Sequence, residues 1–347
     1  MYFKQFNGIR ALAVIGVIIH HWSYAKNVFA DLAHHGASGV PLFFVLSGFL
    51  ITTILINVKS ANEINSRTAI KLFYVRRMLR IFPIYYLVIL LLVLFVPAAI
   101  ASHLIWLISY QYNNEIFFHG WQLPSYIHHL WTLCIEEQFY LIWPVIMLCF
   151  SLDNAFRFII FLIIISIACT GLLYLKDPQS PYSLFTLSSF PGLGMGSLLA
   201  FLRYRKINIP YRKYLFLLLL GGYFILHTSY INFYGKGLLS VISFTSVLVS
   251  VLIIDKTIDG FKGWLGALLE NETVSFIGKI SYGLYLYHMF IPDITFHFLN
   301  HFSFPWYTIT LINISVLIFL ALLSWYIIEK PINDLKRYYN YTKSIKV

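Results

Sequence analysis

The stretch "GIRALAVIGVIIHHWSY", residues 8–24, decides how this chain folds. It is an apolar run of bilayer-crossing length, yet it carries Arg10 near its start and His20 and His21 near its end. Lipid offers an open backbone no hydrogen-bond partners, so such a run must be a helix. At 100° per residue, the eleven positions from Arg10 to His21 turn about 1100°, roughly 20° past three full turns. The two side chains therefore share a face, about 16 Å apart along the axis. His20 is turned away from Arg10 by about 80°. Arg10 alone reads in two ways, as an anchor snorkelling to the cytoplasmic surface or as a ligand at the rim of a site. The face it shares with His21 favours the site.

Runs of the same kind recur along the 347 residues, of which 59% are hydrophobic and 11% charged. With a mean hydropathy of +0.75, the chain has too little charged surface for a soluble domain. The expected fold is an all-α polytopic membrane protein with about ten transmembrane helices and both termini cytoplasmic. The spans fall near 8–25, 38–58, 81–100, 127–150, 156–175, 188–202, 213–229, 237–254, 278–299 and 307–328. The stretch 102–113 is too short to cross and is expected at the interface or re-entering. In this topology 22 of the 25 Lys and Arg lie on the cytoplasmic side, with only Lys26, Lys176 and Lys236 outside. The positive-inside rule thus accounts for the net charge of +11 without a nucleic-acid partner, leaving membrane lipid or an anionic cofactor as its counterpart.

Residues 1–347 read as one integral-membrane domain, with an Arg-rich cytoplasmic loop at 59–80 and a cytoplasmic tail at 329–347. The first span lacks a small-residue cleavage site and is expected to be retained. Cys134, Cys149 and Cys169 sit in apolar spans without paired spacing, which favours packing over disulfides or metal ligation. Gly192, Gly194 and Gly196 read as helix packing, since no strand precedes them to make a phosphate loop.

Four further stretches carry polar groups at membrane depth. In "KLFYVRRMLRIFPIYY" (71–86), Arg77 and Arg80 are i, i+3 neighbours and Arg76 and Arg80 are i, i+4. A helix there presents a cationic face suited either to lipid headgroups or to bidentate binding of phosphate. In "HHLWTLCIEEQFYLIWP" (128–144), Glu136 and Glu137 cannot both face lipid ionised, so at least one faces a cavity or a base such as His21. In "GVPLFFVLSGFLITT" (39–53), Ser47–Gly48 reads as a close-packing pair rather than a nucleophile elbow. In "KISYGLYLYHMFI" (279–291), Ser281, Tyr285 and His288 fall on one helical side, as an interhelical hydrogen-bond set or a cavity lining.

Taken in order, these stretches resemble the acyltransferase-3 family of bacterial membrane acyltransferases, which O-acylate surface polysaccharides and other acceptors. Arg10 to His21 looks like the family's R-x10-H element, and "GVPLFFVLSGFLIT" like its FF-x-x-SGF signature. "RRMLRIFP" matches R-x-x-R through Arg77 and Arg80, and "WTLCIEEQFYLIWP" resembles W-S/T-L-x-x-E-x-Q-F-Y. "ISYGLYLYHMFI" and the closing "EKP" (Glu329 to Pro331) resemble the C-terminal portion. The resemblance implies His21 as the essential histidine, Glu136 as the acidic partner, and Arg10, Arg77 and Arg80 as acyl-CoA contacts. It also implies the stand-alone form of the family, in the bacterial cytoplasmic (inner) membrane.

The expected chemistry moves an acyl group, acetyl by preference, from cytoplasmic acyl-CoA to a hydroxyl of a carbohydrate or lipid-linked glycan such as O-antigen or exopolysaccharide. No tightly bound cofactor is expected beyond acetyl-CoA as co-substrate, and no metal. His21 would be the general base, oriented by Glu136, with Ser47, Tyr140 and His288 as substrate-binding candidates. An acyl-histidine relay is the mechanistic alternative. A transporter or exporter without acyl transfer would also explain many spans and buried charges, but not a cationic rim in phase with a histidine.

Overall fold

The computed structural model describes residues 4–22, 35–178, 180–233, 236–299, 302 and 304–341. Lys26, the end of the first expected span, and the last six residues with Lys343 and Lys346 lie outside them. The described residues are helical or irregular, with no strand. The main helices are α1 (Gln5–Trp22), α2 (Gly39–Ala61), α3 (Ser66–Phe95), α4 (Trp131–Cys149), α5 (Leu152–Lys176), α6 (Pro191–Tyr204), α7 (Arg212–Phe233) and α8 (Lys236–Asp259). They continue as α9 (Gly263–Glu270), α10 (Glu272–Lys279), α11 (Ser281–Tyr287), α12 (Phe290–Leu299) and α13 (Trp306–Ser324). Six helical stretches are long and apolar enough to cross a membrane: 35–61, 66–95, 125–149, 152–176, 241–259 and 306–338.

Two helix boundaries differ from the expectation in ways that shape the site. The loop expected at 59–80 is mostly helix. After a left-handed turn at Asn62 (φ 50°), Asn65 caps α3 by accepting from the Thr68 amide at 2.8 Å. Arg76, Arg77 and Arg80 thus stand on a rigid 30-residue rod. The span expected at 278–299 is broken between α11 and α12, at His288 and Met289. The stretch 102–113 forms no helix long enough to cross a membrane. Its short helix Leu104–Ile108 lies back on α3, whose Tyr85 and Tyr86 hydroxyls donate to the Leu107 and Ile108 carbonyls at 2.8 and 3.0 Å.

Small residues set the core. A Cβ on Gly48 would sit 2.0 Å from the Leu193 carbonyl oxygen, and one on Gly196 2.0 Å from that of Val45. α2 and α6 therefore touch backbone to backbone, as the Ser47–Gly48 pair and the glycine run of α6 suggested. Beside this contact, Trp143 of α4 donates to Thr52 (2.7 Å), which donates to Ser197 (2.8 Å), so three helices share one buried polar chain. Cys134 is buried in the core as expected, but Cys149 is exposed and Cys169 only partly covered.

The N-terminal end of α1 is fixed by α9 and α10. Gln5 donates to the Phe261 carbonyl (3.0 Å) and Glu270 (2.9 Å) and accepts from the Phe261 amide (2.7 Å). Gly8 and Gly278 allow the backbones to meet, since added Cβ atoms would lie 2.4 Å from the Leu269 oxygen and 1.9 Å from the Asn7 oxygen. The C-terminal segment docks on α3, where Arg76 donates to the carbonyls of Lys336 (2.9 Å) and Tyr339 (2.8 Å).

Candidate active site

Arg10 leaves α1 at the level of α10. It donates to Asn7 Oδ1 at 3.1 Å, and Asn7 in turn donates to Ser275 at 3.3 Å, which orients the guanidinium inward. Arg77 stacks over the rings of Phe73 (5.6 Å) and Tyr140 (5.5 Å), and Arg80 lies one turn further along α3. All three line one cavity of ≈ 300 Å3, together with Ser47, Glu136, Tyr140 and Tyr285. Ser47 donates to Glu136 Oε1 at 2.8 Å. Among the described residues no carboxylate lies within 4.0 Å of Arg10, Arg77 or Arg80.

Electrostatically the cavity is cationic. Three guanidinium groups line it against the single carboxylate of Glu136. Two further carboxylates lie near the arginines outside the lining, Glu137 toward Arg77 and Glu329 toward Arg80; Glu329 is 4% exposed and accepts from Ser324 at 3.1 Å. Most of the remaining wall is apolar, so the excess charge is poorly shielded by water. Planar forks with unfilled donors in such a place suit an anion with several oxygens.

The histidines form a separate cluster against the same wall. His21 Nδ1 lies 2.9 Å from Nε2 of His288, with ring centroids 4.9 Å apart. His288 is completely buried, and its ring lies 5.4 Å from that of Tyr285, which lines the cavity. Tyr285 thus stands between the arginine cavity and the histidine pair. Its hydroxyl meets Thr132 at 2.7 Å, another lining residue.

Of the residues singled out in the sequence, Arg10, Arg77, Arg80, Glu136, Ser47 and Tyr140 share one cavity. His21 and His288 share a hydrogen bond just outside it. The expected pairing of Glu136 with His21 is replaced: Glu136 is held by Ser47 of α2, and the imidazole's partner is another imidazole. The reason is axial placement, because Glu136 sits level with the arginines while His21 ends α1 beside the break at His288. His288, expected as a substrate contact, is absent from the lining, whereas Ser281 and Tyr285 belong to it. The sequence reading missed Thr132 and the facing of Glu329 toward Arg80. Glu329 carried a signal, a carboxylate at the end of an apolar span inside the quoted "EKP".

Fold and site together define a helical membrane protein with an anion-receptive cavity backed by a buried histidine pair. The chain belongs to the acyltransferase domain family, whose model matches residues 3–330. It is 32% identical to the peptidoglycan O-acetyltransferase OatA of Listeria monocytogenes, over 99% of this chain and 58% of that protein. Two provisionally named O-acetyltransferases are each 29% identical over 95% of this chain. One, from Staphylococcus aureus, is covered over 57% of its length; the other, the peptidoglycan-type YrhL of Bacillus subtilis, over 55%. The chain thus spans little more than half the length of these relatives. No solved structure matches it.

Proposed function

We propose that the protein is a membrane O-acetyltransferase that takes an acetyl group from cytoplasmic acetyl-CoA and delivers it to a hydroxyl of a cell-envelope carbohydrate. One observation carries the reading: Arg10, Arg77 and Arg80 line a single cavity without an ion-paired carboxylate. Coenzyme A brings phosphates for those donors and a long neutral arm ending in the thioester. In the proposed topology both termini are cytoplasmic, about ten helices cross the bacterial inner membrane, and the arginines lie near its cytoplasmic face. The arm then runs outward past Tyr285 toward His21, along the roughly 16 Å that three turns of α1 provide.

In the reaction, the acceptor hydroxyl attacks the thioester carbonyl as His21 takes its proton. The tetrahedral intermediate collapses, the carbon–sulfur bond breaks, and the thiolate leaves with the proton returned by the imidazolium. Glu136, held by Ser47, limits the repulsion among the arginines while phosphate is absent. The acceptor class follows from two sources: the sequence resemblance implies surface polysaccharide such as O-antigen or exopolysaccharide, and the named relatives imply peptidoglycan.

The test is transfer or hydrolysis of labelled acetyl-CoA by purified protein, wild type against His21→Ala. The expected result is a loss of about 10²–10⁴-fold in rate. Equal rates would remove the enzyme reading and favour a transporter. Label retained on quenched protein would replace direct transfer by an acyl-histidine relay. Mass spectrometry of envelope glycans with and without the gene assigns the acceptor.

A further inference from the structure

We propose that His288 is a positioning residue that fixes the tautomer of His21, placing the proton on Nδ1 and the basic lone pair on Nε2. This deepens the reading of His21 as general base and rests on it for its catalytic meaning, though not for its geometry.

The argument begins at a carbonyl. His288 Nδ1 lies 2.5 Å from the Tyr285 carbonyl oxygen, which can only accept, so Nδ1 carries the hydrogen. A neutral imidazole has one N–H, which leaves Nε2 of His288 as an acceptor. That Nε2 lies 2.9 Å from Nδ1 of His21. Two bare nitrogens at that distance repel, so His21 Nδ1 must donate. Its Nε2 then holds the lone pair available to an acceptor hydroxyl.

The neutrality on which this turns has its own support. His288 is 0% exposed, and the groups facing it are the imidazoles of His129 and His21 and the Tyr285 carbonyl. None offers the negative charge that a buried cation would need. His129 is constrained in the same way: its Nε2 meets the Leu286 carbonyl at 3.0 Å and must be the protonated nitrogen. Each of the two buried rings is thus pinned by a main-chain carbonyl of the same short helix.

The backbone holds the arrangement in place. The break between α11 and α12 puts residue 288 opposite the end of α1, where Trp22 Nε1 donates to the His288 carbonyl at 2.9 Å. Consecutive residues of α1, His21 and Trp22, therefore bond to one residue across the interface. A contact made through both ring and main chain orients the imidazole as well as setting its proton, the usual task of a second group behind a catalytic histidine.

The test compares His288→Leu with His288→Gln in the purified full chain. Gln keeps a side-chain oxygen that accepts from His21 Nδ1 and an amide that donates to the Tyr285 carbonyl; Leu keeps neither. For His288→Leu, kcat is expected to fall about 10–100-fold, with KM for acetyl-CoA within about twofold of wild type. His288→Gln should recover at least half of that loss on a logarithmic scale. A wild-type kcat in His288→Leu, or equal losses in Leu and Gln variants of matched thermal stability, would overturn the assignment. Ring-15N histidine spectra of the protein in nanodiscs, with His21→Ala to assign the signals, read the tautomer without activity. The bare nitrogen should be Nε2 of His21, and a proton found there instead refutes the proposal. Activity retained in His21→Ala would instead remove His21 as the base and leave the tautomer to the spectra.

Discussion

The protein carries two arginine clusters that differ in one respect. Arg203 and Arg212 bind Asp255 and Asp259 in a closed square, with contacts of 2.5, 2.9, 2.7 and 2.5 Å, so two positive charges meet two negative ones. Arg10, Arg77 and Arg80 face a cavity with Glu136 in its wall and no ion pair among them. Asp255 is 2% exposed, and its neutralised square fastens the end of α8 to α6 and α7. The cavity cluster leaves its donors directed into space that a ligand can fill. Paired arginines hold the fold together; unpaired ones, kept side by side at an electrostatic cost, suit the anionic donor proposed above.

The difference is open to experiment, beginning with the largest effect. The double variant Arg77→Ala/Arg80→Ala removes the two proposed charge-assisted phosphate contacts, worth about 1.5–3 kcal/mol each. Its apparent KM for acetyl-CoA should rise on the order of 10²–10⁴-fold in a transfer assay. Arg77→Lys/Arg80→Lys keeps charge but loses the forks, and should fall between that variant and wild type. Asp255→Ala should do the opposite: it leaves Arg203 and Arg212 with one carboxylate and costs on the order of 3 kcal/mol of stability. Thermal unfolding in detergent reads that loss, while KM for acetyl-CoA stays unchanged. A changed KM there would mean that the square also belongs to the ligand site.

Next in size is Gly196→Ala. Its Cβ would lie 2.0 Å from the Val45 oxygen, so α2 and α6 must separate. Overpacking of this kind costs about 1–3 kcal/mol and displaces Ser47 along with α2. Ser47→Ala is the smallest change, removing one hydrogen bond to Glu136 worth about 1–2 kcal/mol. It should alter KM for acetyl-CoA several-fold with little change in unfolding temperature.

Local features of the sequence foretold one half of the site better than the other. The phase of Arg10 on α1 and the i, i+3 spacing of Arg77 and Arg80 follow from helix geometry, and these residues do share a cavity with Ser47, Glu136 and Tyr140. The partner of His21 stayed hidden because His288 is 267 positions away, in a stretch read as one continuous span. Only the interruption after Tyr287 brings the two rings together. The Arg203–Asp255 square was hidden for a similar reason: its charges come from helix ends that the sequence reading took simply as positive-inside residues. The arginine spacing at 71–86 read as helix, but the same residues were counted within a loop at 59–80, because a charged run lowers hydropathy without lowering helix propensity.

The most direct measurement is calorimetric titration of coenzyme A, without an acyl group, into the purified protein and its Arg77→Ala/Arg80→Ala variant. Coenzyme A tests the cavity apart from any chemistry at His21. Saturable binding to wild type and to Asp255→Ala, lost or weakened at least about 100-fold in the double variant, is the predicted result. Equal affinity in wild type and double variant, with both folded, would contradict the assignment of this cavity to the donor's phosphates.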